Sequence, residues 1–271
     1  TATPAPSPSL PPQSDDPGEV SPPAAPVTAP VDVPILMYHR VGTPPADNPT
    51  NAALTVWPED FEAQLSYLAC AGYTPTTVGR LFAAFDGTAA LPPNPIILTF
   101  DDGWDDGYSE VFPRLADHGF VASFAVVSGF IEAGGPYMTW AQIQEMSAAG
   151  MEMMSHSISH PDIGASDDAT AIDQVTASKA AIEARIGKSV DFFVYPAGEP
   201  FRSGTEEREA QVVQMLKDAG YRGALLAGPW SMTQDPAAPF ELNRVRVSSG
   251  DDIYTFAGSI YGPDPDTLSC S

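Results

Sequence analysis

From residue 33 onward the chain alternates short apolar runs with longer amphipathic stretches, and this alternation restricts it to few folds. The apolar runs fall at 33–38, 96–100, 121–127, 151–155, 191–195, 223–227 and 242–247. They are too short for buried helices and nearly continuous in apolar character, as strands covered on both faces are. Helical spacing appears between them at 58–72, 106–118, 140–149, 169–186 and 206–219, with a short helix starting near 251. The first of these opens on Pro58, Glu59 and Asp60 and carries Phe61, Leu65 and Leu68 on one face. Strand–helix alternation makes parallel sheets, so the predicted fold class is α/β. About seven units predict a distorted or incomplete (β/α) barrel with about seven parallel strands; a doubly wound open sheet is the alternative. Both architectures present functional groups at the C-terminal ends of strands.

The first thirty residues hold ten prolines and no Lys or Arg. Such a segment buries too little apolar surface to offset its ordering entropy, so 1–30 reads as a Pro-rich tether and 31–271 as one folded domain. No run of eighteen apolar residues occurs, and no membrane span is expected. The chain shows neither an initiator Met nor a basic-then-apolar leader, which suits an exported, mature form and a trimmed chain equally. Cys70 and Cys270 cannot form a Cys-rich zinc site, but they can form one disulfide in an oxidising compartment, or remain two thiols. Thirty-five acids against twelve bases give a net charge of −23 with no basic cluster. Nucleic acid and anionic membrane are therefore excluded as expected partners, and a monomer is anticipated.

Three apolar runs end in residues able to bind a metal. The run 96–98 leads into Thr99, Phe100, Asp101, Asp102 and Gly103. Adjacent carboxylates at a strand end call for a compensating charge, commonly a divalent cation; the alternative is a solvated acidic turn. The alternating spacing of a calcium loop is missing. The run 151–154 leads into Ser155, His156, Ser157, Ile158, Ser159, His160 and Pro161. Two imidazoles four residues apart plus one carboxylate make the three-ligand set of a catalytic zinc site, although the spacing also arises by chance. It is not the helical zinc-protease motif, because Ser157 stands where that motif has Glu and Pro161 opposes a helix. The first strand closes on Tyr38, His39 and Arg40. Of the four histidines, only His118 lies away from these strand ends, at a predicted helix C-terminus where the dipole favours it.

Together these segments resemble the polysaccharide deacetylases, carbohydrate esterase family 4, also called the NodB homology domain. The resemblance rests on Thr99 to Gly103 followed by His156, Ser157 and His160, and extends to the opening 35–41, Gly72 with Tyr73, and Met138 to Trp140. It implies hydrolysis of acetyl groups on amino sugars or acetylated sugars. It also implies one divalent ion, zinc first and cobalt or nickel next, on Asp102, His156 and His160, with Asp101 as general base on the activated water. Ser157 and Ser159 are candidates to orient the imidazoles, or ordinary turn hydroxyls.

Two departures matter. The Leu-x-His segment that often supplies the general acid near the C-terminus is missing; similarity to exported poly-N-acetylglucosamine deacetylases gives His39 that role, the alternative being a core or turn-stabilising histidine. In the third motif, 193–198, Val194 stands where an Arg often steadies the catalytic Asp, leaving Arg244 or Arg246 as substitutes. A backbone amide near Tyr195 is the expected oxyanion donor. Trp104, Tyr137 and Trp230 are candidate stacking surfaces for sugar rings, whereas Trp140 reads as core. The motif variants favour an N-acetylglucosamine polymer; acetylxylan deacetylation or a non-catalytic carbohydrate-binding barrel are the alternatives. An acidic surface also suits loose retention of a partly deacetylated, cationic product.

Overall fold

The computed structural model describes residues 24–228 and 231–269. Seven parallel strands form the barrel wall: β1 (Ile35–Tyr38), β3 (Pro95–Phe100), β4 (Ser123–Val126), β5 (Glu152–Ser155), β6 (Phe192–Val194), β7 (Gly223–Leu225) and β8 (Val245–Arg246). The spatial order is β7-β6-β5-β4-β3-β1-β8. An additional short strand, β2 (Thr74–Thr76), pairs with the first half of β3, while β4 pairs with its end. Between the edges, Leu242 bridges Leu225 of β7 and Val245 pairs with Leu36 of β1. The segment entering β8 thus touches both sides of the opening in an otherwise incomplete barrel.

Successive residues of a strand face opposite ways, and the core divides accordingly. Leu36, Tyr38, Leu98, Phe100, Phe124 and Phe193 point outward into the layer of helices. There they meet α1 (Pro58–Cys70) through Phe61, Leu65 and Leu68, α4 (Trp140–Ala148) through Ile143 and Met146, and α5 (Asp168–Ile186) through Val175 and Ile182. Ile35, Ile97, Ala125, Met154, Phe192, Val194, Leu225 and Leu242 point inward. The lower mouth of the barrel is plugged by α2 (Val78–Phe85), which sends Val78, Leu81 and Phe82 among them. The inward series of β3 therefore climbs from Ile97 through Thr99 to Asp101. That of the β8 segment climbs from Leu242 to Arg244, so the two polar groups meet above an apolar floor.

β2 and α2 were not predicted. β2 is 3 residues with Pro75 at its centre and α2 is only 8 residues, both shorter than the stretches over which a sequence period is read. The predicted helix 106–118 begins as a π-turn, Gly107–Val111, before the α-helix α3 (Phe112–Asp117). The predicted strand 242–247 shrinks to β8 plus the isolated bridge at Leu242. Residues 24–30 carry neither helix nor strand; the rest of the predicted tether lies outside the described residues. So does Cys270, and with it the predicted pairing to Cys70. No described helix is long and apolar enough to cross a membrane.

Candidate active site

At the top of β3 the backbone leaves the strand in a conformation few side chains tolerate: φ is +76° at Asp102 and +82° at Gly103. The turn separates two consecutive carboxylates. Asp101 continues the inward series and is 3% exposed, while Asp102 swings toward the end of β5. There its Oδ1 lies 3.5 Å from His156 Nε2 and 3.7 Å from His160 Nε2. One ligand atom from each of Asp102, His156 and His160 falls within 4.8 Å of the other two.

The loop carrying the histidines is also strained, with positive φ at Ser157 (+67°) and His160 (+56°). Hydrogen bonds hold it. Ser157 Oγ accepts from the His160 N–H at 2.9 Å, and Gln174 Oε1, on α5, accepts from the Ile158 and Ser159 N–H groups at 3.0 Å each. His156 Nδ1 lies 2.8 Å from the Val194 carbonyl, which can only accept, so Nδ1 bears a hydrogen, and Nε2, facing Asp102, is the nitrogen that would serve an ion after giving up its own proton. Burial raises the pKa of Asp102, but the hydrogen bond from His156 and the surrounding imidazole charge outweigh it and hold the carboxyl well below its ordinary range. Burial lowers His156, yet Asp102 and Asp101 bring it above the usual histidine value; burial and the neighbouring His156 leave His160 below it. Two neutral imidazoles and one ionised carboxylate are what a divalent ion of the zinc type requires, and this donor set fits one.

Asp101 is gripped by Arg244, whose Nη1 donates to Oδ1 at 2.8 Å and to Thr99 Oγ1 at 3.1 Å. The Arg244 Nε donates to the Leu226 carbonyl at 2.6 Å, and the side chain is 1% exposed. Burial alone would raise Asp101; Arg244, with His156 and His39, reverses this and lowers its pKa. Arg246, the other predicted substitute, makes no ion pair among the described residues and lines a separate groove of about 670 Å³. His39 follows Tyr38 at the end of β1, close enough to both aspartates for each to raise its pKa, though burial wins and lowers it. Its Nδ1 is buried and has no hydrogen-bond partner among the described residues.

The expected sugar platforms and oxyanion donor fare differently. The Trp104 indole N–H donates to Asp102 Oδ2 at 2.9 Å. Its ring is stacked on Tyr137 at 4.7 Å, with the Arg40 guanidinium 4.4 Å above it. The two aromatics thus pack on one another while both remain partly exposed. Tyr195 is 1% exposed; its N–H donates to the Leu225 carbonyl and its hydroxyl to that of Phe240, so neither donor remains for an oxyanion. Trp230 lies outside the described residues. Trp140 is buried, and His118 pairs with Glu62 at 2.7 Å on the surface, away from the site. The sequence reading missed the Val194 carbonyl, Gln174 and the Arg40–Asp106 pair. A carbonyl has no sequence signature, and the others act only once distant segments meet.

Residues 88–224 match the family described as polysaccharide deacetylase, half of the chain. YxkH of Bacillus subtilis (strain 168), which bears a polysaccharide deacetylase name, is 24% identical over 86% of this chain and 76% of its own. The poly-β-1,6-N-acetyl-D-glucosamine N-deacetylase of Escherichia coli (strain K12) is 26% identical over 45% of this chain, but that match spans only 20% of the Escherichia coli protein. Among solved structures, the Streptococcus pyogenes deacetylase PplD in complex with acetate superposes with a TM-score of 0.75 at 23% identity, covering 85% of this chain and 99% of that one. A curled parallel barrel with an Asp–His–His cluster at its upper rim, together with these matches, makes this chain a member of the polysaccharide deacetylase family.

Proposed function

We propose that the chain is an exported, metal-dependent hydrolase that removes N-acetyl groups from an N-acetylglucosamine-containing polysaccharide. One observation carries the reading: the buried, Arg244-bound carboxylate of Asp101 stands beside a three-residue donor set that fits a divalent ion. Asp102, His156 and His160 would hold the ion, zinc by donor type. When bound, the ion supplies Lewis-acid polarisation and lowers the pKa of water to about 7. The chain's own residues do the rest. Asp101, ionised because Arg244 opposes its burial, takes a proton from water as the water oxygen attacks the acetyl carbon. The carbon–nitrogen bond breaks, acetate leaves, and the sugar amine takes a proton from His39. That donor is recharged in each turnover; burial opposes the imidazolium form and lowers the pKa of His39, while the flanking Asp101 and Asp102 work against that loss. The choice of polymer follows from the Escherichia coli relative and from the motif variants around His39 and Tyr195.

The test is acetate release from poly-N-acetylglucosamine, chitin oligomers, peptidoglycan and acetylxylan, with and without a chelator. Release from an N-acetylglucosamine polymer that stops on chelation and returns with zinc is expected; release only from acetylxylan overturns the substrate assignment, and chelator-resistant release the metal. His39→Ala is expected to lower kcat by about 100-fold or more with zinc content unchanged. Unchanged turnover in that variant means that the amine receives its proton from another group.

A further inference from the structure

Asp102 uses its two carboxylate oxygens differently. Oδ1 is the one that converges with the two imidazole nitrogens, at 3.5 and 3.7 Å. Oδ2 accepts the indole N–H of Trp104 at 2.9 Å. An indole N–H is a donor only, so it can serve this oxygen but never compete for a cation. We propose that Trp104 is a positioning residue for the metal site: its N–H reserves Oδ2, presents Oδ1 alone to the ion, and is itself fixed by an Asp106–Arg40 pair reaching from beside His39. The proposal rests on the metal reading above.

Each part of the chain of contacts is rigid. The backbone around Trp104 is pinned to the 136–138 segment, Asp105 N–H donating to the Pro136 carbonyl at 2.9 Å and Met138 N–H to that of Gly103 at 3.0 Å. The indole plane is held by Tyr137, stacked 22° from parallel, and by the Arg40 guanidinium. Arg40 in turn donates through Nε to Asp106 Oδ2 at 2.8 Å. The remaining Asp106 oxygen accepts the Val41 N–H at 3.2 Å, and Asp106 is 6% exposed. A part-buried ion pair of this kind adds little net stability but fixes geometry, since breaking it strands the charge of Asp106. Asp106 therefore ties the backbone two residues past His39 to the ring that holds Asp102. Groups that orient metal ligands from behind commonly contribute about 10- to 100-fold to metal affinity.

Trp104→Phe retains an aromatic ring for the Tyr137 and Arg40 contacts but removes the N–H. Benzothienylalanine at the same position, with sulfur replacing the N–H in the same bicyclic shape, serves if the Phe variant does not fold. The zinc dissociation constant, measured by competition with a chromophoric chelator, is expected to weaken by about 10- to 100-fold. The melting temperature of the metal-free protein should stay at the wild-type value. The cobalt-loaded visible spectrum should weaken, as the freed Oδ2 adds to the coordination number. Asp106→Asn, which loosens Arg40 while sparing the N–H, should weaken zinc binding by a smaller factor. Zinc affinity within twofold of wild type in the N–H-less variant, or a loss matched by a fall in the metal-free melting temperature, overturns the proposal alone. A wild-type protein that binds no zinc overturns it together with the reading on which it rests.

Discussion

Asp101→Asn is expected to keep its metal and lose about 100- to 10,000-fold in the rate of acetate release. The substitution is nearly isosteric and leaves an oxygen to accept from Arg244, so the local backbone has no reason to move. Asp101 is also not one of the three residues whose donor atoms converge, so the ion should remain. What disappears is an ionised carboxylate beside that cluster, one that Arg244 keeps deprotonated despite its burial. Elemental analysis alongside steady-state acetate release checks both halves. A variant that turns over at the wild-type rate removes Asp101 as the base, and one that loses its metal shows that Asp101 helps hold the ion.

The separation of Asp101 from Asp102 shows where sequence reasoning succeeds and where it ends. That two neighbouring carboxylates at the end of an apolar run form either a cation site or a solvated turn follows from charge, because like charges at a strand end need compensation. Which of them faces the barrel axis is decided by the two-residue period of β3 and by a turn with φ of +76° at Asp102. The period can be read from Ile97 and Thr99; the turn is suggested only by Gly103. The histidine pair was legible for the same reason as the carboxylates: few residue types bind metals, and only four histidines exist.

Roles that depend on closure of the barrel were less legible. Arg244 and Arg246 are two residues apart and both plausible by type, and only the pairing of the β8 segment with β1 sends Arg244 across to Asp101. Tyr195 itself is occupied, whatever the neighbouring amides do. Its motif suggested an oxyanion donor, but the β6–β7 ladder already consumes its N–H and the core consumes its ring. Trp104 offered itself in the sequence only as an aromatic face, because a sequence cannot say that its N–H will meet Asp102 or that Arg40 and Tyr137 will pack against the indole. The plug helix α2 went unseen because it is only 8 residues long, shorter than the stretch over which a helical period can be read.

Arg244→Met should be the most destabilising single change at the site, and its effect should depend on pH with a sign opposite to that of the wild type. In the wild type, metal removed by chelator, burial pushes the Asp101 pKa up but Arg244, His156 and His39 bring it below the unfolded value of about 3.9. Asp101 therefore adds stability above that unfolded value, and the contribution is lost as pH falls through the folded pKa. Without the guanidinium, burial becomes the controlling influence and the folded pKa rises above the unfolded one. The stabilising form is then the protonated one, fully present below the unfolded pKa and lost as pH rises through the folded pKa. At neutral pH the variant should be about 3–5 kcal/mol less stable than wild type, the usual consequence of leaving a buried charge without its partner. The gap should narrow as both proteins are taken toward pH 4, and Arg244→Met combined with Asp101→Asn should recover much of the loss at pH 7. Urea unfolding of the single and double variants across this range measures each term. A gap that is the same at every pH would mean that Arg244 contributes packing alone, and that the ionisation of Asp101 is maintained by the histidines instead.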